Sequence, residues 1–128
     1  MRIGVTEVYV DNQENARRFY TEVLGFQVKT DAAYGEGARW LTVVAPEDPD
    51  GTELLLAPLS EPAAALQRSR RESGTPAVSF TSTDCLRDYE ELRARGATFL
   101  FEPRAMAYGG TDAVFEDSCG NLLNLHED

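Results

Sequence analysis

The chain states one pattern twice. Residues 19–26, Phe-Tyr-Thr-Glu-Val-Leu-Gly-Phe, run from an amphipathic helix end through a glycine into a strand, and residues 89–99, Tyr-Glu-Glu-Leu-Arg-Ala-Arg-Gly-Ala-Thr-Phe, repeat that course. Each copy leads to a hairpin with an acidic turn and an aliphatic last strand, at residues 46–56 and again at 115–125. Gly25 and Gly96 stand 71 residues apart, and Gly51 and Gly120 stand 69 apart. A repeat of this length marks one supersecondary unit used twice, and two such units paired in space enclose a cleft.

The periodicity gives the unit its content. Residues 3–10 alternate like a strand, Asp11 and Asn12 offer a helix cap, and residues 15–24 place Ala16, Phe19, Tyr20, Val23 and Leu24 on one helical stripe. Gly25 then supplies a left-handed stop. Strands at 26–30, 39–45 and 52–57 complete a βαβββ module. Residues 60–73 read as a linker helix between Pro62 and Gly74. The second module has a strand at 77–82, a cap at Thr83 and Asp84, a helix at 85–95 stopped by Gly96, and strands at 98–101, 112–116 and 121–126. The stretches 31–37 and 103–110 read as loops. The expected organisation is a single domain spanning 1–128: module one at about 1–58, linker helix at about 60–74 and module two at about 75–128.

Size and charge narrow the function. With 128 residues, 42% hydrophobic and 27% charged, the chain suits one soluble domain. It contains no apolar run of about 20 residues, and its first residues lack a secretion signal, so the expectation is a cytoplasmic protein with no membrane partner. Twenty-two acidic against twelve basic residues give a net charge of −10, which repels a phosphate backbone. Only Arg68, Arg70 and Arg71 cluster, so no nucleic-acid partner is expected. Cys85 and Cys119 lack metal-ligand spacing and read as reduced thiols.

A duplicated βαβββ unit with Phe-Tyr-x-x-Val-Leu-Gly-Phe in its first helix and Gly-Asn before its last strand resembles the vicinal oxygen chelate superfamily. That is the glyoxalase, bleomycin-resistance and ring-cleaving dioxygenase group. The resemblance implies an α+β fold, two tandem βαβββ modules forming a curved, partly open mixed-sheet barrel around a cleft, and a homodimer. It does not fix the chemistry, because one fold hosts several activities. Enzymes of the group hold a divalent metal on four strands, and here those positions fall on Val5, on Ala77, on Asn124 and on either Glu53 or Leu54. One carboxylate beside an amide and aliphatic groups does not hold a transition metal, so neither a metal nor another cofactor is expected. A metal-dependent enzyme, of the lactoylglutathione-lyase or dioxygenase kind, is the alternative that the resemblance carries.

Candidate site residues follow from strand parity. Glu7 and Tyr9 accompany Val5, Ser79 and Thr81 accompany Ala77, and His126 accompanies Asn124. Polar groups in that number on an inward face line either a wet pocket or an interface with another subunit. Trp40 offers the aromatic wall of such a pocket or a core residue. Glu53 reads as a remnant ligand, a general base or a solvated strand residue. Asn124 reads as a ligand contact or a turn partner. His126, the only histidine, reads as a proton-transfer group or as a frayed terminal residue. The ligand-binding set is therefore Glu7, Tyr9, Trp40, Glu53, Ser79, Asn124 and His126, for a small organic molecule held without metal. No catalytic residue is assigned. A Ser-His-Asp triad and a phosphate-binding glycine loop are both missing from the sequence.

Overall fold

The computed structural model describes residues 1–128. The chain divides into two compact units, Met1–Ala65 and Leu66–Asp128. Each is a four-stranded mixed sheet with helical cover, and the two repeat the same strand order. The fold is α+β, two βαβββ modules in tandem.

In the first unit β1 (Val5–Val10) pairs in parallel with β4 (Glu53–Pro58), while β2 (Gln27–Tyr34), β3 (Ala38–Val44) and β4 run as an antiparallel meander, giving the order β1-β4-β3-β2. Helix α1 (Gln13–Arg18) starts where Asn12 Oδ1 accepts the Asn15 N–H at 2.9 Å. It packs on β3 and β4. Val8, Val10, Leu41, Val43, Leu54 and Leu56 are buried together with Ala16, Phe19 and Tyr20. Burying each of the large side chains contributes about 1.5–3 kcal/mol.

The helix expected over 15–24 ends in a wider turn. Residues Phe19–Val23 are π-helical, with the Leu24 N–H bonded to the Phe19 carbonyl. The extra residue in that turn lets the consecutive Phe19 and Tyr20 both point inward and leaves Val23 and Leu24 half-buried. Gly25 follows at φ 79°, where a side chain would be strained.

The second unit repeats the plan. Strand β5 (Val78–Thr81) pairs in parallel with β8 (Leu122–Glu127), and β6 (Phe99–Ala105), β7 (Thr111–Glu116) and β8 form the meander, ordered β5-β8-β7-β6. Helix α3 (Cys85–Ala94) is capped by Asp84, whose side chain accepts the Arg87 N–H at 3.1 Å. It lies against β6, β7 and β8. Tyr89, Phe99 and Phe115 form an aromatic ladder there, with centroids 4.7 and 4.9 Å apart. The connecting helix α2 spans Glu61–Ser73, and the division between the units falls within it.

Two expected loops are strand instead. Residues 31–34 belong to β2 and 103–105 to β6, because both hairpins continue past a register shift, at Val28/Thr30 and at Phe101/Arg104. Bulges absorb one residue and let pairing resume. The first hairpin turns at Gly35 and Gly37, both at positive φ, and the second at Gly109 and Gly110.

Candidate functional site

The expected site residues fall into two groups, one on each sheet. On the first sheet, register pairs Val5 with Glu53 and Glu7 with Leu55, so Glu53 and not Leu54 shares a face with Val5, Glu7 and Tyr9. Leu54 is buried on the opposite, α1-facing side. Tyr9 donates its hydroxyl to Glu7 Oε1 at 2.7 Å, and Thr42 donates to Glu53 Oε1 at the same distance. Trp40 is 41% exposed and meets Tyr34 edge-on with centroids 6.4 Å apart, so it is not a core residue.

The second sheet carries the denser cluster. Ser79 pairs with Asn124 and Thr81 with His126 along β5 and β8, while Asp112 pairs with His126 and Val114 with Asn124 along β7 and β8. Asn124 is buried and donates its amide to Ser79 Oγ at 3.1 Å, and its Oδ1 has no partner. Ser79, Asp112, Val114 and Asn124 border a cavity of about 400 Å³ lined also by Ala77, Val78, Phe101, Arg104, Met106 and Tyr108. A cavity of that size matches the range of small-molecule pockets.

His126 is not frayed. Its Nδ1 lies 2.6 Å from Asp112 Oδ1, and its Nε2 lies 3.0 Å from Asp128 Oδ1. Tyr108 donates its hydroxyl to the other Asp112 oxygen. Burial pushes the Asp112 carboxyl up, but the hydrogen bonds from Tyr108, His126 and Asn124 outweigh it and hold the group below the usual range. The hydrogen bonds to Asp112 and Asp128 raise the His126 imidazole above its ordinary value. The network thus favours a carboxylate bonded to an imidazolium.

The sign of its pH dependence follows. A raised imidazole stabilises the fold fully below the unfolded value near 6.5, and that contribution is lost as pH rises through the folded value. The lowered carboxyl contributes above 3.8 and fails only as pH falls through its folded value. Asp112, Asp128 and Tyr108 are the titratable groups facing the ring. Thermal melts of wild type and His126→Gln from pH 5 to 9 are expected to show the wild-type advantage shrinking above pH 6.5; an advantage that stays level or grows contradicts this network.

Asp112, Tyr108 and Arg104 escaped the expected set. The first was readable: counting four residues outward from the Glu116–Leu122 pair that flanks the acidic turn brings Asp112 opposite His126. Arg104 was not, because its pairing with Asp112 depends on the second-hairpin register shift.

The family's metal positions can be tested against these side chains. Val5 and Ala77 offer no donor, Asn124 offers an amide, and Glu53 is the one carboxylate, bonded to Thr42. No group of three or more His, Cys, Asp or Glu side chains comes together anywhere in the chain with metal-binding geometry. This donor set does not fit a transition metal.

Residues 2–125 match the family model of the Glyoxalase/Bleomycin resistance protein/Dioxygenase superfamily. The chain belongs to that superfamily. Among curated proteins it is 45% identical to YurT of Bacillus subtilis (strain 168) over 126 residues, 98% of each chain. Among solved structures it resembles UcmS2, at 32% identity and a TM-score of 0.82 over 98% of this chain and 97% of that one. It also resembles TnmS3, described as an antibiotic binding protein from Streptomyces sp. CB03234, at 25% identity and a TM-score of 0.77 over 99% and 95% of the two chains. No helix is long and apolar enough to cross a membrane.

Proposed function

We propose that this protein binds a small organic molecule without a metal ion, as a sequestering rather than a metal-dependent member of its superfamily. The observation that carries the reading is the second-sheet cavity, bordered by aliphatic and aromatic side chains and by a buried amide whose carbonyl oxygen is unsatisfied. Buried polar atoms are ordinarily paired, and one left over beside a cavity suits a ligand that completes it. The antibiotic-binding description of TnmS3 supports the same class of activity. The residues proposed for binding at this cavity are Ser79 and Asn124, with His126 beside them on β8; Glu7, Tyr9, Trp40 and Glu53 form a separate proposed set on the first sheet. A cytoplasmic homodimer is the proposed working form.

The metal-dependent lyase or dioxygenase alternative lacks support in the donor set. Elemental analysis of protein purified without chelator is expected to give well under one Ni, Zn, Fe or Mn per chain. A panel of aromatic metabolites and antibiotics is expected to raise the melting temperature equally before and after chelator treatment, by mass action. Asn124→Leu should diminish that shift, with circular dichroism verifying the fold, because Asn124 lines the cavity with its unpaired oxygen. About one metal per chain with turnover of a hemithioacetal overturns the reading, and so does a panel without any binder.

A further inference from the structure

We infer that the second-sheet cavity selects a planar aromatic acid that also carries a hydroxyl or amino donor, with Arg104 receiving the acidic oxygens and Asn124 Oδ1 accepting the donor. This deepens the proposed binding function and rests on it.

Three observations define the chemistry. Arg104 lies at the cavity on β6, its guanidinium carbon 3.7 Å from the Phe101 ring centroid, and it makes no hydrogen bond or ion pair. Its natural partner across the hairpin would be Asp112, the residue opposite in register. That carboxylate is already engaged by Tyr108 and His126, with Asn124 also bonded to it. The guanidinium is therefore held by stacking alone and keeps its fork of N–H donors for an incoming acceptor.

The second point of recognition has the opposite polarity. Asn124 is more than nine-tenths buried, its Nδ2 donates to Ser79 and to the Asp112 carboxylate, and its Oδ1 is a buried acceptor without a donor. A ligand O–H or N–H at that atom removes the cost of leaving it bare. The lining also includes Val78, Val114, Met106 and the Phe101 ring, which favours an apolar, flat body, while the Asp112 carboxylate in the same wall is taken up by Tyr108 and His126. The ligand must therefore offer anionic oxygens at one place and a hydrogen-bond donor at another. A purely apolar molecule leaves both unmet.

Hydroxynaphthoic acids, their methyl esters and their methyl ethers form a set of probes that separates the two contacts. Isothermal titration at low salt is expected to show the hydroxy acid binding roughly 10- to 100-fold more tightly than its ester, the range of a charge-assisted hydrogen bond. In Arg104→Gln that gap should collapse, while Arg68→Gln, which removes the same charge from the connecting helix, should preserve it. The ether should lose affinity in wild type but not in Asn124→Leu, with thermal melts verifying that each variant is folded. Equal binding of acid and ester, or a gap untouched by Arg104→Gln, overturns the inference. If in that case Trp40→Ala still weakens every probe, the binding function survives with its ligand on the first sheet. Absence of binding by all probes and by the wider panel sinks both.

Discussion

Asp117→Ala is expected to lower stability by about 3–5 kcal/mol, because three donors lose one acceptor group at a site sealed from water. Asp117 is fully buried at the second acidic turn. Its Oδ1 accepts the Cys119 N–H at 2.8 Å and the Asn121 N–H at 3.0 Å, and its Oδ2 accepts the Asn121 amide at 2.7 Å. The turn needs this support, since Ser118 sits at φ 63° and Gly120 at φ 96°. Asn121 then leads directly into β8, so the turn sets the register that brings Asn124 to the cavity and His126 opposite Asp112. Asp117→Asn should cost less, about 1–2 kcal/mol, because an oxygen can still serve both backbone donors while the new amide opposes that of Asn121. Thermal or urea unfolding monitored by circular dichroism measures both. Equal losses for the two variants would show that the donors are not what the carboxylate satisfies.

Phe115→Ala should cost a comparable amount, about 3–5 kcal/mol, the range for emptying an aromatic site in a packed core. Phe115 is fully buried on β7, stacked at 31° against Phe99, which in turn meets Tyr89 of α3 edge-on. Removing this ring leaves Phe99 with Tyr89 as its one aromatic contact and opens a void that a rigid β-hairpin closes poorly. Phe115→Leu should recover a large part of the loss. Urea unfolding again reads the effect, and a change for Phe115→Ala of below about 1 kcal/mol would mean that the helix and sheet collapse around the gap.

These two residues differ in how plainly the sequence announces them. Phe115 sits in an alternating strand beside an acidic turn, and the duplicated helix-glycine-strand pattern places the whole module from its neighbours alone. The repeat works because glycine at a left-handed helix stop and an aliphatic strand after a turn have few structural alternatives. The site was less legible. Parity put Asn124 and His126 on a shared face, but it left His126 open between a proton-transfer group and a frayed end, because the Asp112 that pins it comes from the neighbouring strand. Residues 31–34 and 103–105 have small or polar side chains and a register shift behind them, so nothing in their periodicity announces a strand. Arg104 lies beyond such a shift. Its position depends on where one residue is absorbed, which local propensity does not encode.

Gln67 gives the connecting helix a part in recognition at a distance. Its amide donates to the Cys119 carbonyl at 3.0 Å and to Asn121 Oδ1 at 3.2 Å, and it occupies the space above Gly120 where any Cβ would collide with it. The helix thereby grips the loop from which β8 departs. Sequence drift along that helix would be transmitted to the pocket floor, so relatives that differ there could diverge in what they hold while keeping every cavity-lining residue the same.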